Sequence, residues 1–130
     1  MSDRTYSYVR CRPSDAHHFE NLGYELQTGG GGGVELFNAD ANYGNSTELD
    51  AVARTGVVFY AWHGAGGNYG PCVQASDGQQ FADVEGDGDL HPVVRVLRNG
   101  RIERQRLMEA REYWRVHERA RKALGEVVEK

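Results

Sequence analysis

The segment from Glu103 to Leu124 has the spacing of one long amphipathic helix, and such a helix needs a surface to pack on. Successive residues advance by about 100° around a helix, which places the apolar and aromatic side chains on one broad arc. That arc contains Leu107, Ala110, Tyr113, Trp114, Val116, His117, Ala120 and Leu124. Gly125 is the expected stop of the helix. The arc therefore predicts a helix that packs on the rest of the fold.

Strand patterns fill most of the chain before this helix. Residues 4–11 alternate with a period of two, and Tyr6 and Tyr8 fall on the same side. The most apolar run, "GVVFYAWH" at 56–63, is rich in β-branched and aromatic residues and predicts a central strand. Two further strands are expected at 24–28 and 34–39, with a loop at 29–33 between them, and hairpins are expected around Asp77-Gly78 and Asn99-Gly100.

Two short helices are expected between the strands. The first follows Ser14 as its cap and stops at Gly23. The second follows Ser46 or Thr47 and stops at Gly56. A length of 130 residues is close to the commonest domain size. The sequence therefore predicts a single α+β domain over 1–130, with a mainly antiparallel or mixed sheet of six or seven short strands. Two short helices and one long C-terminal helix, about 103–124, complete the predicted domain.

Charge is unevenly distributed along the chain. Residues 1–92 hold four arginines against 13 Asp and Glu, a net charge of −9. Residues 93–130 hold 11 Arg and Lys against six Glu, a net charge of +5. The two halves can neutralise each other within the fold or across a dimer. We call residues 1–92 the acidic body and residues 93–130 the basic segment. Alternatively, the basic segment binds an anion, or the acidic body binds a basic protein surface.

The composition favours a cytoplasmic protein that does not enter a membrane. No apolar run approaches the ~18 residues of a membrane helix, and "MSDRTYSYVR" lacks the apolar core of a signal peptide. Cys11 and Cys72 are far apart in the sequence, so we interpret them as two thiols in a reducing compartment.

The glycine-rich stretch "HGAGGNYG" at 63–70 leaves a predicted strand, as phosphate-binding loops do. It lacks the Gly-Lys-Ser/Thr ending of a P-loop, and Pro71 leads into another strand where a dinucleotide fold has a helix. A nest of backbone N–H groups can still hold an anion, although a plain connecting loop fits as well. The predicted ligand contacts here are Trp62, His63, Gly64, Gly66, Gly67, Asn68 and Tyr69.

Arg106 and Arg121 fall inside or at the edge of the apolar arc of the C-terminal helix. A buried arginine must be paired, because an unpaired buried charge costs several kcal/mol. The partner is either a carboxylate of the acidic body or an anion bound in a pocket. In the second case, Arg106, Tyr113, His117 and Arg121 complete the ligand site.

A basic ridge occupies the opposite side of the same helix. It consists of Arg104, Arg111, Arg115, Arg119 and Lys122. The ridge fits a solvated face or a surface for a partner, including a second copy of the chain in a homo-oligomer. Direct binding of nucleic acid rests on the ridge alone, and an overall pI of about 5.7 argues against it.

Catalytic and metal signals are incomplete. "DVEGDGDLHPVV", at 83–94, begins like a calcium loop but has Val94 where a bidentate Glu should stand. The histidine and cysteine spacings do not form a zinc pattern, so neither a metal nor a cofactor is predicted. A small enzyme remains an alternative, through Cys72 with His63 or His91, or through His63 with Asp77, Asp83 or Asp89.

Two functional hypotheses follow from these patterns. The first is a non-enzymatic protein that captures a small anionic, nucleotide-like ligand with the glycine-rich loop, aromatic side chains and helix arginines. It needs only shape, charge and stacking, which the sequence supplies. The second is a protein–protein interaction module, an inhibitor or adaptor, that uses the acidic body or the basic helix.

Overall fold

Six antiparallel strands form one sheet in the computed structural model, which describes residues 4–30 and 33–126. The strands are β1 (Arg4–Cys11), β2 (Glu25–Gly30), β3 (Gly33–Asn42), β4 (Val58–His63), β5 (Cys72–Asp77) and β6 (Phe81–Glu85). Three helices accompany them, α1 (Ala16–Glu20), α2 (Ser46–Arg54) and α3 (Arg104–Ala123). The spatial order of the strands is β2-β3-β1-β4-β5-β6. The predicted α+β class is confirmed, and the sheet is antiparallel.

The two faces of the sheet are covered differently. On one face, α1 and α2 lie over a core that includes the fully buried Leu36 and Phe59. On the other face, α3 packs on β4, β5 and β6. Its main contacts do not extend to β1 and β3, where Tyr6 is 46% exposed. Part of this second face is therefore open.

The predicted packing arc of α3 is confirmed. Tyr113, Val116, Ala120 and Leu124 are buried against the sheet, and Trp114 lies at the margin with 36% of its surface exposed. Although α3 is 20 residues long, its outer side is strongly charged. Within residues 4–30 and 33–126, no helix is both long and apolar enough to cross a membrane.

The starts of the two short helices differ from the prediction. Ser14 lies in a short 3₁₀ turn, Pro13–Asp15, and α1 begins after it at Ala16. Ser46 is the first residue of α2, and its N-cap is Asn45 with a positive φ of 57°. Asparagine tolerates this left-handed conformation better than most residues. The predicted stops are confirmed: Gly23 and Gly56 follow the helices with positive φ.

The glycine run at 29–33 is more regular than predicted. Gly29 and Gly30 belong to β2, and Gly33 begins β3. Gly29 lies opposite Val34 in the ladder, because backbone pairing needs no side chain. Residues 31–32 lie outside the described residues.

The second predicted hairpin does not become part of the sheet. Around Asn99-Gly100, pairing is reduced to one bridge between Val96 and Ile102 and a 2.7 Å hydrogen bond from Leu97 N–H to Arg101 O. The ladder beyond β6 continues only to a bridge between Gly86 and Pro92. Val93 N–H still donates to Glu85 O at 2.9 Å, and beyond this bond the chain leaves the sheet as an exposed arm, residues 93–103.

Candidate functional site

A groove of about 490 Å³ lies on the open part of the sheet face. Its floor is a row of aromatic rings. Tyr8 stacks on Trp62 with 5.1 Å between the ring centroids and 14° between the planes. Phe37 lies on the other side of Tyr8, with 4.7 Å between the centroids. Tyr8 is directly opposite both residues in the ladder, so three adjacent strands contribute one ring each to what we call the aromatic row.

The alternating side chains of β1 place a second tyrosine, Tyr6, at the exposed end of the groove floor. Side chains two apart in a strand point to the same face, so Tyr6 and Tyr8 both face the groove. Their ring centroids are 5.9 Å apart. Tyr6 is 46% exposed and Tyr8 is half-buried. Solvent, or a flat ligand, therefore has access to the rings.

The start of the glycine-rich loop forms one wall of the groove. His63, Gly64, Ala65 and Pro71 line that wall. Gly64 donates its N–H to Tyr6 O at 3.2 Å. A Cβ added to Gly64 would lie 2.5 Å from the Tyr6 ring, a separation that side chains do not tolerate. Glycine is thus needed here so that the loop can approach β1.

The turn that contains Asp87 and Gly88 forms another part of the lining, and it lies beside the end of the loop, since Gly86 N–H donates to Pro71 O at 3.0 Å. Asp87 Oδ1 accepts backbone N–H groups from Asp89 at 2.9 Å and from His91 at 3.0 Å. The hydrogen bond from the His91 backbone is the main cause that lowers the pKa of Asp87. Among the described residues that line the groove, Asp87 is the only acidic or basic side chain apart from His63. The groove itself therefore offers an anion no arginine or lysine.

Positive charge lies one row further along the same two strands. Arg10 is opposite Tyr60 in the ladder, next to the pair of Tyr8 and Trp62. Arg10 Nε donates to Glu126 Oε1 at 2.9 Å, and Arg121 Nε donates to Glu126 Oε2 at 3.1 Å. The Tyr60 hydroxyl donates to the same carboxylate, 2.8 Å from Oε2 and 3.1 Å from Oε1. We call Arg10, Tyr60, Arg121 and Glu126 the anion cluster.

The protonation state of Glu126 follows from these contacts. Burial alone would raise the pKa of its carboxyl, but hydrogen bonds from Tyr60 and Arg10 outweigh it and hold that pKa below its usual value. Burial, together with the bond to Glu126, raises the pKa of Tyr60. At neutral pH the cluster therefore consists of a carboxylate, a phenol and two guanidinium groups.

The structure divides the predicted loop residues between two places. Trp62, His63 and Gly64 line the groove. Gly66, Gly67 and Asn68 lie further out in the loop, where Gly66 N–H donates to Tyr69 O at 3.0 Å. The Tyr69 ring packs on His63 and Tyr43, with centroids 5.5 and 5.4 Å apart. Consecutive strand residues point to opposite faces, so Tyr69 joins His63 and is separated from the Trp62 ring.

Tyr113 and His117 belong to the core beneath α3. His117 is 3% exposed and stacks on Tyr113, with ring centroids 5.3 Å apart. Burial, and secondarily the charge of Arg121, lowers the pKa of His117 to about 4. The Tyr113 hydroxyl donates to Leu90 O at 3.3 Å. Neither residue lines the groove.

The two helix arginines predicted at the site are in different environments. The Arg106 side chain is 55% exposed, and its guanidinium is 3.9 Å from both Glu103 and Glu109. Arg106 therefore faces solvent and does not lie at the edge of the packing arc, as the sequence had predicted. Arg121 is 32% exposed and contacts Glu126. The sequence left two partners open for Arg121, a carboxylate of the acidic body or a bound anion. In the structure its partner is the carboxylate of Glu126, which directly follows the helix.

The basic ridge is partly neutralised by the protein. Arg119 Nη1 is 3.3 Å from Asp77 Oδ2, on the tip of the β5–β6 hairpin. Arg115 Nη1 is 2.9 Å from Glu112 Oε2 on the same helix. Arg104, Arg111 and Lys122 are exposed. These three side chains form the part of the ridge most accessible to a partner.

The thiol alternative is disfavoured by electrostatics. Cys72 lies directly opposite His63 in the ladder, as a nucleophile and base would need. However, burial raises the pKa of Cys72 to about 12, and the charges of Asp83 and Glu85 act in the same direction. Burial also raises the pKa of Cys11 to about 12. Both thiols are protonated at neutral pH, whereas the thiolate is the nucleophile.

The segment that begins like a calcium loop forms a tight turn. Ligand atoms of Asp87, Asp89 and His91 lie within 4.8 Å of one another, and all three residues are exposed. The contacts of Asp87 to the backbone account for this arrangement as a turn. Val94, at the last position of the calcium pattern, supplies no oxygen from its side chain.

Comparison with family models, curated proteins and solved structures gives no match to this chain.

Sequence reasoning missed Tyr8, Phe37, Arg10, Tyr60 and Glu126 as site residues. The period of two in β1 already placed Tyr6 and Tyr8 on one face. No local signal reveals that this face is left open, because that depends on where α3 lies. Glu126 follows the helix stop at Gly125 and gave no pattern of its own.

Proposed function

We propose that the chain is a non-enzymatic binding protein for a small anionic, nucleotide-like ligand, whose planar ring stacks on the aromatic row. The observation that carries this proposal is the row formed by Phe37, Tyr8 and Trp62, which lines the groove and in which the Tyr8 and Trp62 rings lie within 14° of parallel. Stacking of a base on an aromatic side chain contributes about 1–3 kcal/mol and tolerates different bases. A groove of this volume is within the range of small-molecule sites.

The walls of the groove favour a ligand with a planar ring over an extended, chain-like ligand. The close approach of Gly64 to Tyr6 holds the loop at the edge of the floor, and the turn with Asp87 lines the groove beside Pro71. A ring placed on the floor has aromatic surface below and polar backbone at its rim. The ligand then needs a charge partner for its anionic group outside the groove. We place this binding in the cytoplasm, where nucleotides are abundant.

Calorimetric titration with adenosine 5′-monophosphate (AMP) tests the proposal. We expect measurable binding to the unmodified protein, and binding weaker by about tenfold or more after Tyr8→Ala, because one stacking surface is lost. Tyr43→Ala is the matched control, since Tyr43 is 48% exposed and does not line the groove. Equal affinity of all three proteins for AMP, or no heat with any of them, would contradict the proposal.

A second candidate function, a protein–protein interaction module, is favoured by one specific observation. Apolar side chains on the arm and on the first turns of α3 are unusually exposed: Val93 (40%), Val96 (68%), Leu97 (45%), Ile102 (44%) and Met108 (54%). They lie in a basic part of the sequence, and Met108 lines a shallow pocket with Arg104 and Arg111. Val96 and Ile102 face each other across a bridge of the arm, and neighbouring exposed apolar groups are typical of interaction sites. A second copy of the chain, with its acidic body, is the partner we propose for this surface.

Light scattering at several protein concentrations tests the second candidate. The interaction module predicts a dimer mass that falls to the monomer mass after Val96→Asp. Tyr43→Asp introduces the same charge at an exposed aromatic residue away from the arm and should leave the mass unchanged. A monomer mass for the unmodified protein at all concentrations would remove the homodimer.

A further inference from the structure

We infer that Arg10, Arg121 and Tyr60 form a phosphate subsite of the groove, and that the Glu126 carboxylate occupies this subsite until a ligand displaces it. The inference rests on the proposed function and supplies its missing charge partner. It also assigns Glu126 as an internal competitor of the ligand.

The register of the sheet places the subsite beside the aromatic row. Tyr8 pairs with Trp62, and two residues further along the same strands Arg10 pairs with Tyr60. Two residues of a strand span about 7 Å. A ribose bridges a gap of this size between a base and its 5′ phosphate. A ring stacked on Trp62 thus brings its phosphate towards the anion cluster.

The donors converge as an oxyanion requires. Three donors on three elements point at one carboxylate, with four donor–acceptor distances between 2.8 and 3.1 Å. Guanidinium groups recognise phosphate as well as carboxylate. A phosphate monoester has a third terminal oxygen and a second negative charge, which two guanidinium groups can match. A second carboxylate, that of Glu35, lies 3.7 Å from Arg10.

Glu126 is held by a part of the chain that can move without opening the core. It comes directly after Gly125, whose φ is +79°. The helix end is closed by Gly125 N–H to Lys122 O at 3.0 Å and by Glu126 N–H to Arg121 O at 2.9 Å. Opening of the second bond releases the carboxylate while Leu124 stays buried. Helix ends open at a lower free-energy cost than core elements.

The test compares Glu126→Ala with Glu112→Ala, which removes the same charge from a half-exposed, arginine-paired position of α3. Inorganic phosphate, at constant ionic strength, should raise the melting temperature of Glu126→Ala more than that of Glu112→Ala or the unmodified protein. AMP should bind Glu126→Ala at least about tenfold more tightly than the unmodified protein, since the open state is a minor population. Adenosine, which lacks the phosphate, should bind both with the same affinity.

The readout is the increment caused by phosphate, so a lower basal stability of Glu126→Ala does not affect it. Addition of Arg121→Gln to Glu126→Ala should abolish the increment. Equal increments in all variants would show that the carboxylate only fastens the end of α3, and would overturn the subsite. AMP binding that depends on Tyr8 but not on Glu126 would also overturn it, while the proposed function stands. A phosphate increment without Tyr8-dependent AMP binding would support the subsite and contradict the nucleotide-like ligand.

Discussion

Gly44 brings the turn before α2 into contact with the ring of His63. Three consecutive residues of this turn have positive φ: Tyr43 (53°), Gly44 (63°) and Asn45 (57°). A Cβ on Gly44 would overlap the His63 ring. The glycine therefore meets two demands at once, a left-handed backbone and close packing against β4. Through His63, the same contact supports the strand that carries Trp62.

We predict that Gly44→Ala lowers the free energy of unfolding by more than about 2 kcal/mol. Positive φ alone costs an L residue about 1–2 kcal/mol, and the contact with His63 adds to this because the buried ring cannot move aside. Gly56→Ala is the matched control, since Gly56 has positive φ but only an ordinary contact of 3.9 Å to Gly78 O. Urea unfolding of both variants measures the difference. Equal costs would show that the His63 contact is not tight.

The pH dependence of stability should reveal His117. Its pKa of about 4 in the folded protein lies below its unfolded value of 6.5, so only the unfolded state takes up a proton as the pH falls through 6.5. The stability is complete above pH 6.5 and is lost progressively towards pH 4. Between pH 7.5 and 5 the loss should be about 2 kcal/mol.

Thermal or urea unfolding at these two pH values checks this expectation, with His117→Phe as the comparison. Phenylalanine keeps a flat ring against Tyr113 and cannot titrate. The variant should lose less stability than the unmodified protein over the same interval. A loss of the same size in both proteins would show that His117 is not the titrating group.

At the scale of elements, α3 contributes to the core through one face only. Val116 is fully buried, whereas Met108 on the same helix is 54% exposed. We expect Val116→Ala to destabilise the protein by about 2 kcal/mol, through lost burial and the cavity left behind. Met108→Ala should change stability by less than about 0.5 kcal/mol. Urea unfolding gives both values, and a large effect of Met108→Ala in monomeric protein would contradict the observed packing.

Periodic elements were the predictable part of the fold. The strand at 4–11 and the long helix have strong periods, the central strand is the most apolar run, and all three are confirmed. Loss of the second hairpin was not predictable from Asn99-Gly100, because a turn signal does not say whether the flanking residues find a sheet to pair with. The N-cap of α2 was missed because Ser46 and Thr47, which are both common cap residues, follow Asn45 directly.

For the whole molecule, one helix is too narrow to cover one face of a six-stranded sheet. A helix is about 10 Å wide, and six strands spaced by about 4.8 Å span more than twice that width. Part of the face must remain open or be covered by something else. The sequence predicted the helix, the sheet and Trp62 as a ligand contact. It did not predict which strands stay uncovered, because that depends on the route of the chain from β6 to α3.

Charge is balanced across the molecule in part by the fold itself. Arg95 pairs with Glu85 at 3.1 Å, and Arg119 pairs with Asp77 at 3.3 Å. Both pairs join the basic C-terminal segment to the acidic body, as one interpretation of the sequence expected. These pairs are largely exposed on the arginine side, so they fix orientation more than they stabilise.

The central claim is that a planar ligand stacks on Trp62, and Trp62 fluorescence tests it most directly. Trp114→Phe leaves Trp62 as the only tryptophan. On titration with AMP we predict a saturable quenching of Trp62 emission, with the same dissociation constant that calorimetry gives. Emission that stays constant while calorimetry records binding would place the ligand elsewhere and contradict the account.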